Sequence, residues 1–197
     1  MRYIGSLTLV VFMIAFVSCK KTDKKQNSKE EEKVALEAAM QKGNQLVKMT
    51  FESISGKLKS TIVEKGAVEA IQYCNVEAVP LTTALEEDGI KISRTSTNFR
   101  NPNNAPNKES RAILAKYAEN KANGVESKSI VQKGENGNIH YYKPIYMKAL
   151  CLNCHGDAGS NVSEEVVSQL NKLYPQDKAM GYKLDDLRGA WHIEFVD

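Results

Sequence analysis

Hydrophobic and polar positions divide the chain into three stretches. Residues 4–17 are almost wholly apolar and follow a positive charge at Arg2. As a helix this run would reach about 21 Å, against roughly 30 Å of hydrocarbon core. That is too short for a stable span and the right length for the apolar region of a signal peptide. Residues 20–33 hold no large apolar side chain, cannot bury a core, and predict a disordered, solvated tether. From residue 34 onward the pattern becomes periodic. Val47, Phe51, Ile54 and Leu58 make one helical stripe, on a helix expected from about Glu31 to Ile62. Gly66 predicts a break. Ala67, Ala70, Ile71, Cys74 and Ala78 share a face of the helix that follows, which Pro80 should end.

Residues 90–93 predict a short strand, and 94–108 a loop around Asn101-Pro102-Asn103-Asn104-Ala105-Pro106. Residues 109–120 predict a helix with Ile113 and Tyr117 on one side. Residues 125–132 and 138–147 predict paired strands about a turn at Gly134-Glu135-Asn136-Gly137. Ser163 is a helix cap preceding an apolar face of Val166, Val167, Leu170 and Leu173, and 189–196 predict a last strand. Helices in front of a hairpin and a late strand indicate an α+β domain.

The composition of the 197 residues, 42% hydrophobic and 26% charged, is that of a globular protein. The net charge of +3, with no clustering of Arg and aromatics, argues against a nucleic-acid partner. There is no internal repeat, no Gly-rich phosphate loop and no second long apolar run, which excludes a multi-span membrane protein.

The apolar run ends in Ser18-Cys19, a small residue directly before Cys, and resembles a bacterial lipobox. The resemblance implies cleavage after residue 18, lipid on Cys19, and a membrane-anchored protein on the periplasmic or extracytoplasmic side of the cell envelope. An ordinary signal peptide or an uncleaved anchor is the alternative. The expected organisation is a signal peptide over 1–18, lipidated Cys and tether over 19–33, and a folded domain over 34–197.

Cys151-Leu152-Asn153-Cys154-His155 is a C-x-x-C-H motif. Two thiols at this spacing can add to the two vinyl groups of haem while the adjacent imidazole reaches the iron. Chance yields about one such match per thousand sequences of this composition. A zinc site would want a second ligand pair, and none exists; a thioredoxin-type pair would want a preceding βαβ pattern. The motif therefore predicts one covalent haem c, with His155 on the iron. With Cys19, Cys151 and Cys154 accounted for, Cys74 is left over. It is either a buried small hydrophobe or the sixth ligand to the iron.

These residues sit in a longer pattern: Ala70-Ile71-Gln72-Tyr73-Cys74, Arg94-Thr95-Ser96, Arg100-Asn101-Pro102-Asn103-Asn104-Ala105-Pro106, Glu109, Tyr142-Lys143-Pro144-Ile145, the haem motif with Gly156, Gly181-Tyr182, and Asp186-Leu187-Arg188-Gly189-Ala190. Over about residues 40–197 the chain resembles the PAS-like c-type haem domain family, found as extracytoplasmic sensors of bacterial histidine kinases and as stand-alone exported proteins. The resemblance implies a PAS-like antiparallel sheet with N-terminal helices around one haem c, His155 proximal and Cys74 distal. Two positions depart from it: Asn107 stands where an Asp often follows the second Pro, and Asp185 where a Gly often precedes Asp186. Both bear on loop geometry rather than on the haem motif.

Arg94 and Arg100 can hold haem propionates, or pin the 94–108 loop through Glu109 or backbone carbonyls. His140, His192, Met147 and Met180 are rival sixth ligands. Iron with both axial positions filled is a poor enzyme site, so no enzyme is expected. Redox or small-ligand sensing remains, with low-potential electron transfer at the membrane surface as the alternative. The sequence carries no kinase or transmitter segment, so a sensor needs a partner protein, and an electron carrier a redox partner.

Overall fold

In a computed structural model of the chain, residues 21–196 are described. The predicted signal peptide and Cys19 lie outside them. Helix α1 is Lys21–Thr83, broken at Gly66 (φ 86°, ψ 172°), a backbone state that glycine adopts without strain. A unit boundary falls between Lys33 and Val34. Residues 26–33, where the sequence predicts a disordered tether, are exposed and helical. Lys, Glu and Gln favour helix, no Gly or Pro interrupts them, and Asn27 Nδ2 donates to Glu31 Oε1 one turn on (2.7 Å). Among the described residues no helix is long and apolar enough to cross a membrane.

In the second unit, strands β1 (Ile90–Thr95), β2 (Ile130–Lys133), β3 (Ile139–Tyr146) and β4 (Leu187–Phe195) form one antiparallel sheet in the order β1-β4-β3-β2. Helix α2 is Lys108–Ala122, α3 Ala149–His155 and α4 Glu164–Leu173, and Pro102–Asn104 make a single 3-10 turn. This is an α+β, PAS-like fold.

Strand alternation sends odd and even residues of the central strands to opposite faces. Tyr141, Trp191 and Ile193 pack with Ile92 against Leu46 and Val47 of α1. Tyr142 and Ala190 pack against Ile113, Leu114 and Tyr117 of α2. Ala39, Gly43, Leu46, Val47 and Thr50 are the buried positions of α1 here. Phe51, expected on that stripe, is instead 51% exposed. It falls at the edge of the buried face, and the polar-looking Thr50 occupies the inward position.

Other expectations shift at their ends. Pro80 does not end α1; it lies one turn from Thr83, and Thr82 and Thr83 hydroxyls donate to the carbonyls of Ala78 and Val79. β1 runs two residues past Ser93 because Arg94 and Thr95 pair with Trp191 and Ala190. β2 starts at Ile130, not Val125, whose N–H instead closes the end of α2 on Asn120 O (2.8 Å). The two departures from the family pattern fit the structure. Asn107 Oδ1 caps α2 by accepting from Ser110 N (2.8 Å), as an Asp would. Asp185 sits at φ 64°, where Gly is the easier residue and Asp among the tolerated ones.

Candidate functional site

The C-x-x-C-H motif forms α3, a seven-residue helix. Cys154 faces Ile71 of α1 and Val162, Val166 and Leu170 around α4. Cys151 and Leu152 face Met147, Ala179 and Tyr182. The helix ends on Gly156, whose N–H bonds Leu152 O at 2.9 Å. A Cβ there would lie 2.6 Å from Asn161 Cβ and 2.8 Å from Leu152 O, so only glycine fits behind the motif. Cys74, Cys151 and Cys154 are all free thiols.

Beside α3 lies a cavity of about 1,030 Å³, its open mouth included. Cys74, Cys151, Cys154, His155, Arg94 and Arg100, every described residue that the sequence singled out for cofactor binding, line it. Ile54, Leu58, Ile62, Ala70 and Ile71 supply an apolar wall. Of the rival ligands, Met147 and Met180 pack in neighbouring clusters and His140 and His192 lie between sheet and α2; none lines the cavity.

His155 Nδ1 is 2.7 Å from the carbonyl oxygen of Ala179. A carbonyl only accepts, so the proton is on Nδ1, and Nε2 keeps its lone pair. Burial, together with Arg100 and Arg188, holds the imidazole pKa well below its ordinary value, and the ring is neutral. Its ring stands edge-on to Tyr182, 6.3 Å between centroids. Burial pushes the Cys74 thiol up, with Arg94 and Arg100 pulling the other way, and burial likewise raises Cys154.

The arginines differ. Arg94 Nε is buried without a hydrogen-bond partner; its Nη2 makes a long bond to Ala78 O (3.4 Å), and the guanidinium lies 5.8 Å over the Trp191 ring. Arg100 donates through Nε to Asp177 Oδ2 (2.9 Å) and through Nη2 to Cys154 O (2.6 Å) and Ala179 O (3.3 Å). It pins its loop through Asp177 and carbonyls, and not through Glu109, which accepts from Glu135 N instead. The sequence reading gave no site role to Arg188, which also lines the cavity and donates to Ser96 Oγ (2.8 Å) and Asn98 O (2.9 Å). It also missed Tyr174, and Asp177 behind Arg100. Arg188 lay inside the quoted pattern, so the signal was present; Asp177 carried none. Among the described residues the lining thus holds three arginines and no carboxylate. Burial lowers the pKa of Arg94, and Arg188 adds to the shift, so both resist further positive charge and favour an anion between them.

A family model described as Tll0287-like matches residues 16–195. The crystal structure of the cyanobacterial heme-protein Tll0287 is similar over 85% of this chain and 96% of that one, at 23% identity and a TM-score of 0.54. No curated protein matches the chain.

Proposed function

The chain belongs to the Tll0287-like family, and from that premise we propose that it is a lipid-anchored, exported mono-haem c protein that senses redox state or a small ligand and signals through a partner protein. The observation that carries the reading is His155 with its proton fixed on Nδ1 toward Ala179 O, which leaves Nε2 its lone pair, in a cavity that the two motif cysteines also line. Metal-bound histidines characteristically donate their other N–H to a carbonyl in this way. The similar solved structure is of a heme-protein, which supports haem here.

The residues fit the group. Cys151 and Cys154 would bind it covalently, His155 and Cys74 would ligate its iron, and the apolar wall would cover the macrocycle. Three arginines without a lining carboxylate suit two propionates. The unpartnered Nε makes Arg94 the first candidate for one of them; Nε and Nη2 of Arg100 are already engaged by the protein. Haem, when bound, supplies an iron whose charge changes by one electron.

The chain's own residues supply the response. Burial favours Cys74 as a neutral thiol, so its thiolate persists only beside a strong cation. If that attraction weakened, Cys74 would take a proton from solvent, and residues 67–83, which carry it, are already separated from the preceding helix at Gly66. With His155 and Cys74 both engaged by the iron, the chain's role would be binding and signalling rather than catalysis. A potentiometric titration with spectra in both states, with and without CO or NO, tests this. Ligand exchange on reduction is expected. A low potential with no exchange and no gas binding would contradict sensing and assign electron transfer.

The anchoring is proposed from the sequence: lipid on Cys19 and a location in the cell envelope, outside the cytoplasmic face. Fractionation of cells expressing wild type or Cys19→Ala tests it. Wild type should be membrane-bound and carry lipid mass; a soluble, unlipidated wild type would overturn it.

A further inference from the structure

The carbonyl oxygen of Ala179 accepts from two directions. His155 Nδ1 donates to it at 2.7 Å and Arg100 Nη2 at 3.3 Å. The same Arg100 nitrogen donates to the carbonyl of Cys154, the residue before His155, at 2.6 Å. Asp177 closes the circuit. Its Oδ2 accepts from Arg100 Nε (2.9 Å) and its Oδ1 accepts from the amide N–H of Ala179 itself (2.7 Å). The side chains of this ion pair are 13% and 7% exposed. One buried pair therefore grips both the main chain leading into His155 and the carbonyl that receives the imidazole proton.

Two physical effects follow. Tying Cys154 O and Ala179 O to one planar guanidinium fixes where the imidazole must point. The second effect is electronic. A cation drawing on the Ala179 oxygen competes with the Nδ1 proton for the same lone pairs, so the carbonyl pulls less on that proton and Nε2 becomes a weaker donor. Asp177 opposes this by countering the guanidinium charge. Both side chains are largely buried, so their charges are screened less than a surface pair's would be.

The geometry points to Arg100 and Asp177 as positioning residues that set, through the Ala179 carbonyl, how strongly His155 donates to a haem iron and hence the reduction potential of the site. This rests on the haem reading above and adds a regulator to it. Neither residue is assigned contact with the iron. Bond by bond, the Arg100 end lowers the donor strength of His155 and the Asp177 end restores it.

The test uses the full chain produced with the haem c maturation machinery, as wild type, Arg100→Gln and Asp177→Asn. Arg100→Gln removes a cation and leaves the Ala179 carbonyl to His155, so the potential should shift down and the His155 Nδ1–H proton resonance of the reduced protein downfield. Asp177→Asn leaves the guanidinium uncompensated, so both should move the opposite way. A pair that served packing alone would not give opposite signs, since loosening either end opens the same site to water. If one variant fails to accumulate, the sign of the other relative to wild type decides. Haem-loaded variants with unchanged or same-direction potentials would overturn the inference and leave the haem reading standing. A chain recovered without haem would overturn the reading beneath it.

Discussion

The Nδ1 atom of His155 lies 2.7 Å from the backbone oxygen of Ala179, 24 residues further along the chain. That single bond fixes the tautomer of the motif histidine, which lines the same cavity as Cys74. The two side chains reach it from α3 and α1, elements held together through Cys154 and Ile71.

Removal of Cys74 is the first consequence. Cys74→Ala should convert the oxidised haem from low-spin to high-spin or water-bound, raise the reduction potential and allow CO to bind the reduced form. Optical spectra of the purified variant check this. An unchanged low-spin spectrum would return Cys74 to the role of a buried small hydrophobe.

Arg94 should have opposite effects with and without haem. Its buried, unpartnered Nε is a cost that a propionate would remove. Arg94→Met should leave haem-free protein as stable or about 1–2 kcal/mol more stable, and destabilise the haem-loaded protein by a similar amount. Urea midpoints of the two forms give the comparison. Equal destabilisation of both forms would make Arg94 a structural strut over Trp191.

His192 should make stability fall in mild acid. Burial, then neighbouring His140, lowers its pKa from 6.5 to about 4, with Glu194 and Glu109 pulling the other way. His140 Nδ1 and His192 Nε2 are 2.9 Å apart, so one proton serves the facing pair, and Ser93 Oγ sits 3.4 Å from His192 Nδ1. Between pH 6.5 and 4 the unfolded chain binds a proton that the folded chain refuses. Stability is therefore full above about pH 6.5 and declines toward pH 4, by about 1–3 kcal/mol. His192→Gln should flatten that slope in urea titrations of the haem-loaded protein; an unchanged slope would place the loss elsewhere.

Much of the site was legible in the sequence because it is local. The C-x-x-C-H spacing and the inward stripe of Ala70, Ile71 and Cys74 are read along one helix each. The cap at Ser163 is equally local, since its side chain meets an amide three residues on. What escaped is held by partners far apart in the chain. The Arg100–Asp177 pair is separated by 77 residues, the Ser96–Arg188 bond by 92 and the His140–His192 pair by 52. No periodicity encodes such pairs. Phe51 was misplaced for a different reason: hydrophobicity located the stripe, while packing against the sheet chose Thr50 for its interior.

Covalent attachment at α3 is the point on which the account turns. Wild-type protein made with the haem c maturation machinery, unfolded and run on a denaturing gel, should retain haem peroxidase activity on its own band. The double variant Cys151→Ala with Cys154→Ala should show none. Haem that separates from the wild-type chain on denaturation, or stays bound to the double variant, would contradict it.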